Sequence, residues 1–134
     1  MDKSTVLKAF CTHFFEFLDD LISIFPENRD IKDAKTAMEM VRSGNASILP
    51  KTWYSYVYIP YNDQIEAGDL EYFLNKDYSQ DLANLANADN VGKAIDKIRS
   101  PIRSMSPDSK EKALKYIQNL NKLCVVYMKL SGKA

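Results

Sequence analysis

The sequence predicts an all-α fold: a single compact helical bundle of five to seven helices over residues 1–134, with long first and last helices packed together. Three observations predict it. Apolar residues recur at steps of three and four through most of the chain, the period of a helix with one buried face. That period breaks at Pro26, Gly44 and Gly68, and polar residues able to cap a helix stand at Asp30, Asp69 and Ser106. Four glycines and five prolines are too few for many short strands joined by tight turns. A hydrophobic fraction of 46% and a charged fraction of 27% are ordinary for a globular domain, and 134 residues can bury one real core.

The first helix is expected from Ser4 to Phe25. Val6, Phe10, Phe14, Phe17, Leu18, Leu21, Ile22 and Phe25 form a wide aromatic and aliphatic stripe, with Glu16, Asp19 and Asp20 outside it. Pro26 ends it, lacking an N–H and biasing Phe25 away from helical dihedrals. Asp30 is expected to cap a second helix, Ile31 to Ser43, in which Ile31, Ala34, Ala37, Met38 and Val41 face inward. Its alanines suit close packing on the first helix as a hairpin, and Gly44 is expected to supply a left-handed stop.

Residues 45–61 read two ways. Trp53-Tyr54-Ser55-Tyr56-Val57-Tyr58-Ile59 alternates aromatic and β-branched residues, which favours a strand on propensity. Helix is preferred, because Pro50 is tolerated near a helix start, no partner strand lies nearby, and the neighbours are helical. Leu49, Trp53, Tyr56 and Val57, with Pro60 at the edge, would share one face. Gly68 closes this region, and Asp69 caps a short helix, Leu70 to Leu74. A loop and a helical piece come next, with Asp77 or Ser79 as cap and Tyr78, Leu82 and Leu85 inward. Asp89 or Asn90 then opens a helix over 91–104 carrying Val91, Ala94, Ile95, Ile98, Ile102 and Met105 on one face, with Pro101 expected to bend or interrupt it. The last helix, 107–130, starts at the Ser106 cap with Pro107 in its first turn and buries Ala113, Ile117, Leu120, Cys124 and Tyr127.

The chain is neutral overall, with 18 basic and 18 acidic residues, but its charge is unevenly placed. After Gly92 there are ten Lys or Arg against three Asp or Glu, a net +7, so residues 1–92 carry −7. Lys93, Lys97, Arg99 and Arg103 on helix 91–104 and Lys110, Lys112, Lys115 and Lys122 on helix 107–130 are a candidate basic face for nucleic acid or a protein partner. Tyr54, Tyr58 and Tyr61 are a candidate protein interface, because base stacking normally comes with local cations and only Lys51 is close.

Chemistry-bearing motifs are sparse. HExxH, GxGxxG and GxxxxGK[ST] do not occur, and His13 is the one histidine, set beside the apolar stripe where it reads as structural. Asp77 and Asp81 lack the third acidic or histidine ligand of a metal site and read as caps. Cys11 and Cys124 have no CxxC neighbour and read as free buried thiols of a reducing compartment. No apolar run approaches the roughly 18 residues of a bilayer span, and no signal-peptide pattern is read at Met1–Ser4. The expectation is no enzyme, no cofactor, no metal, no membrane and no small-molecule substrate.

Three stretches carry a resemblance: Ser23-Ile24-Phe25-Pro26-Glu27-Asn28-Arg29-Asp30-Ile31-Lys32-Asp33-Ala34-Lys35-Thr36-Ala37, Phe73-Leu74-Asn75-Lys76-Asp77-Tyr78-Ser79-Gln80-Asp81-Leu82, and Lys115-Tyr116-Ile117-Gln118-Asn119-Leu120. In that order they resemble a family of small uncharacterised helical proteins of nucleocytoplasmic large DNA viruses, particularly those of algae and protists. Trp53–Tyr61 departs from the family's pattern. The resemblance implies a virion or assembly protein, such as a minor capsid component, located in the host cytoplasm or nucleus during infection or in the particle. It implies no catalytic residues. The function expected is therefore non-catalytic and made through protein–protein contacts, by self-association or with other capsid proteins. An acidic and a basic half can dock head to tail between copies. The alternative is a nucleic-acid-binding accessory protein using the basic face.

Overall fold

The computed structural model describes residues 2–75 and 89–132, and over these it contains helices and connecting turns with no strand. Helix α1 spans Lys3–Ile24, within a residue of expectation at each end. Its cap is Asp2, whose carboxylate accepts the Thr5 N–H at 2.8 Å. Phe25 closes it by donating its N–H to the Leu21 carbonyl just before Pro26. Cys11 and Phe15 are buried in addition to the predicted stripe. The reason is position: α1 packs against the last helix on one side and against α2, Arg29–Asn45, on another. The Arg42 guanidinium of α2 lies 4.2 Å from the centre of the Phe15 ring, covering its face.

Two details of α2 differ from the sequence reading. Its cap is Asn28, which accepts the Ile31 N–H at 3.2 Å, so Asp30 is a first-turn residue that favours the helix dipole rather than the cap. Gly44 is helical and not left-handed; positive φ occurs only at Gly68 and Gly132 among the described residues. The chain turns instead through Asn45, whose side-chain oxygen accepts from both the N–H and the hydroxyl of Ser47.

The region read as helix or strand is helical. Helix α3, Ile48–Trp53, continues into a π-helical turn, Tyr54–Tyr58, and on into α4, Ile59–Glu66, as one run. In the wide turn the Ile59 N–H reaches back five residues to the Tyr54 carbonyl. The widening falls just before Pro60, where a regular α-helix would drive the proline ring into the Tyr56 carbonyl. The run ends at Gly68, φ +86°, with Gly68 N–H bonded to the Ile65 carbonyl and Asp69 N–H to that of Gln64, a Schellman closure. Asp69 caps α5, Leu70–Asn75, by accepting the Tyr72 N–H, as expected.

Helix α6, Asp89–Arg103, passes through Pro101 and ends two residues beyond it. Helix α7, Pro107–Leu130, is capped by Ser106, whose hydroxyl oxygen accepts the Ser109 N–H. The helical piece expected around Asp77–Leu85 lies outside the described residues.

The long outer helices pack together, as predicted, and the structure shows them antiparallel: Val6 shares a cluster with Tyr127, His13 meets Tyr116, and Asp20 pairs with Lys112. The α1–α2 hairpin also forms, but α2 lies more extensively along α6 than along α1. Trp53 is the hub. Its ring meets Phe10 and Phe14 edge-on at 6.3 and 5.8 Å, and its indole N–H donates to the Asn121 side chain of α7 at 2.8 Å. The first helix, the central run and the last helix are thereby tied at one buried point.

Candidate functional site

The aromatic segment divides into a buried and an exposed set. Trp53, Tyr56 and Val57 are buried, as expected of the inner face. Tyr54 and Tyr58, four residues apart, stack nearly parallel at 5.1 Å and are half-buried at the rim of the core. Tyr61 is not on this surface. It is fully buried, meeting Phe73 edge-on at 5.7 Å and Tyr72 at 5.8 Å, so its place as an interface residue is corrected to core. The reason is the π turn: the residue it adds rotates the downstream part of the run, carrying Tyr61 off the face of Tyr54 and Tyr58. Ile59, next in the chain to Tyr58, is 63% accessible, and Pro60 is also exposed. Sequence reasoning missed Ile59 because a regular helical or strand period does not anticipate the wider turn.

The candidate basic face also separates. Arg99 is buried, 5% exposed, and is corrected from that face to the interior. A signal for this was present: Ile95 stands four residues before it and Ile102 three after, both core. Lys97 and Arg103 are exposed on α6, and the side chain of Lys93 lies outside the described residues. Helix α6 packs chiefly on α2, whereas α7 packs on α1 and the 48–66 run, and α6 and α7 make little contact with each other. The described cations of this set do not form one continuous surface.

On α7 itself two lysines turn toward carboxylates from the acidic half of the chain. Lys110 donates to Glu71 of α5 at 2.9 Å and Lys112 to Asp20 of α1 at 3.2 Å. Part of the charge asymmetry is thus used within the chain. Lys115 and Lys122 stay exposed, and Lys129 continues their row. None of these three pairs with a carboxylate among the described residues.

Comparison of the chain with protein-family models, curated proteins and solved structures finds no match. The reading of these surfaces accordingly rests on their own geometry.

Two of the depressions among the described residues border α7. One, about 360 Å³, lies where Gly68–Glu71 faces Pro107, Lys110, Glu111 and Leu114, and the Glu71–Lys110 pair crosses it. The other, about 220 Å³, lies between α1 and α7 and is lined by His13, Glu16, Lys112, Lys115, Tyr116 and Asn119. The His13 ring sits 4.9 Å from that of Tyr116, and its Nε2 is buried with no hydrogen-bond partner among the described residues. Among the described residues no group of three His, Cys, Asp or Glu is placed to hold a metal ion. No described helix is long and apolar enough to cross a membrane. Asp77 and Asp81 lie outside the described residues.

Both thiols are free and buried. Burial pushes the Cys124 thiol up to about 12 and raises that of Cys11 as well, with the Arg42 charge opposing the latter. A thiol held protonated is a poor nucleophile and a poor metal ligand, so both act as small apolar core residues.

Proposed function

We propose that this protein is a non-catalytic interaction protein that works through protein–protein contacts, with Tyr54, Tyr58, Ile59 and Pro60 as its docking patch. The observation that carries this reading is Ile59, a large aliphatic side chain 63% exposed and next in the chain to Tyr58 of the stacked, half-buried tyrosine pair. Rigid aromatics held at the rim of a core supply contact area at little entropic cost when a partner covers them. The resemblance of 23–37, 73–82 and 115–120 to proteins of nucleocytoplasmic large DNA viruses supports particle structure or assembly as the setting. Its partners are then further copies of the chain or other capsid proteins.

Light scattering after size-exclusion chromatography, at protein concentrations up to about 100 μM, tests self-association (the arithmetic of affinity makes weaker contacts invisible below that). Mass spectrometry of purified particles tests the setting. Oligomers that Ile59→Glu returns to monomers, or recovery of the chain from particles with bound capsid proteins, supports the proposal. A strict monomer that is absent from particles sinks it.

A further inference from the structure

We propose that the outer row of α7, formed by Lys115, Lys122 and Lys129, binds the phosphodiester backbone of duplex nucleic acid without reading its sequence. The three lysines recur every seven residues on a 24-residue helix, which spaces them about 10.5 Å apart in a single row that drifts only slightly around the axis. All three are exposed. No Asp or Glu comes after Glu111 in the chain, so Lys122 and Lys129 have no carboxylate within a helical turn on either side. From the neighbouring elements, Asp20 and Glu71 are engaged by Lys112 and Lys110. Glu16 shares a depression with Lys115 and Glu111 stands four residues before it, so the unopposed charge of the row lies at Lys122 and Lys129.

The helix that carries the row is held rigidly. Its opposite face buries Ala113, Ile117, Leu120, Asn121, Cys124 and Tyr127. The backbone positions that carry the three charges therefore keep their spacing on binding. A protein partner draws its affinity from buried aromatic anchors, and this row has none. A polyanion gains from counterion release, which requires only fixed positive charge. Lysine, a flexible point charge, suits phosphate contact and not bidentate reading of bases. Tyr116, beside Lys115, is half-buried with its ring against Phe17 and His13 and so is not free for unpaired bases to stack on, which favours duplex over single strand.

The test is fluorescence anisotropy of a labelled 20-base-pair duplex against the full chain. Three phosphate contacts set a slope of log Kobs against log salt of about −2.7, so affinity falls about 20-fold between 50 and 150 mM salt. Lys115→Gln/Lys122→Gln/Lys129→Gln abolishes binding at 50 mM, and Lys122→Gln alone lowers the slope to about −1.8. Lys97→Gln/Arg103→Gln, on α6, binds as the wild type does. Four results each overturn the proposal: no binding of the wild type at 50 mM salt, undiminished binding by the triple variant, equal loss in the α6 variant, or equal affinity for poly-glutamate of the same charge.

Discussion

Asn121 shows how a single polar residue organises this core. It stands in line with the apolar face of α7, where periodicity alone would place a hydrophobe, and it is only 2% exposed. Its carbonyl oxygen satisfies the buried indole N–H of Trp53. Asn121→Leu keeps the branched shape and leaves that N–H unpaired, at a cost of about 1–3 kcal/mol; urea unfolding followed by Trp53 fluorescence measures it. The buried thiols make a second prediction. Because burial favours the neutral form, the folded chain holds the Cys124 proton up to about pH 12, while the unfolded chain releases it from an ordinary value of 9.0. Stability from this group is therefore complete below pH 9 and declines above it, by at most about 1.4 kcal/mol per pH unit. Chemical denaturation between pH 8 and 10.5 is expected to show a shallower alkaline loss for Cys124→Ala than for the wild type. In the native state at pH 8 a disulfide reagent reacts with neither cysteine, and in denaturant it reacts with both.

At the scale of the element, ends and interruptions are controlled by identifiable groups. Ser106 and Asp2 cap the two longest helices. Ser106→Ala is expected to lower stability by about 1 kcal/mol. The Asp2 carboxyl is held below its ordinary value, chiefly by its bond to the Thr5 N–H, so its contribution is present at neutral pH and is lost as pH falls through that depressed value. Gly68 sits at φ +86° in open space. Gly68→Ala thus meets no clash and carries only the backbone penalty of a left-handed residue, about 1–2 kcal/mol. Thermal unfolding of the two variants reads both effects. These features were unequally legible in sequence. Asp69 and Ser106 were visible as caps because a cap is a local contact, satisfied within three residues. The π turn at Tyr54–Tyr58 was not, because the residues around Pro60 admit more than one way of accommodating a missing N–H. That turn decides which tyrosines reach solvent.

At the scale of the molecule, the −7 and +7 portions of the chain meet within one fold, at Glu71–Lys110 and Asp20–Lys112. Such half-exposed pairs contribute little stability each, from about 0 to 1 kcal/mol. Raising salt from 50 to 500 mM is accordingly expected to change the melting temperature by only a few degrees, while dissociating any duplex bound to Lys115, Lys122 and Lys129. Differential scanning fluorimetry and anisotropy on the same samples separate the two responses.

The sequence by itself determined the all-helical class, the long outer helices, most of the buried apolar set and the caps at Asp69 and Ser106, because each arises from periodicity or from bonds within a turn. Tertiary structure decided that Tyr61 is interior, that Ile59 is exposed and that α6 and α7 part company, and it buried Arg99, which the chain marked only by its spacing from Ile95 and Ile102. Those outcomes depend on which helix lies against which. A lysine that meets Asp20 and one that meets only water are the same letter in the chain, and packing between distant segments sets the difference.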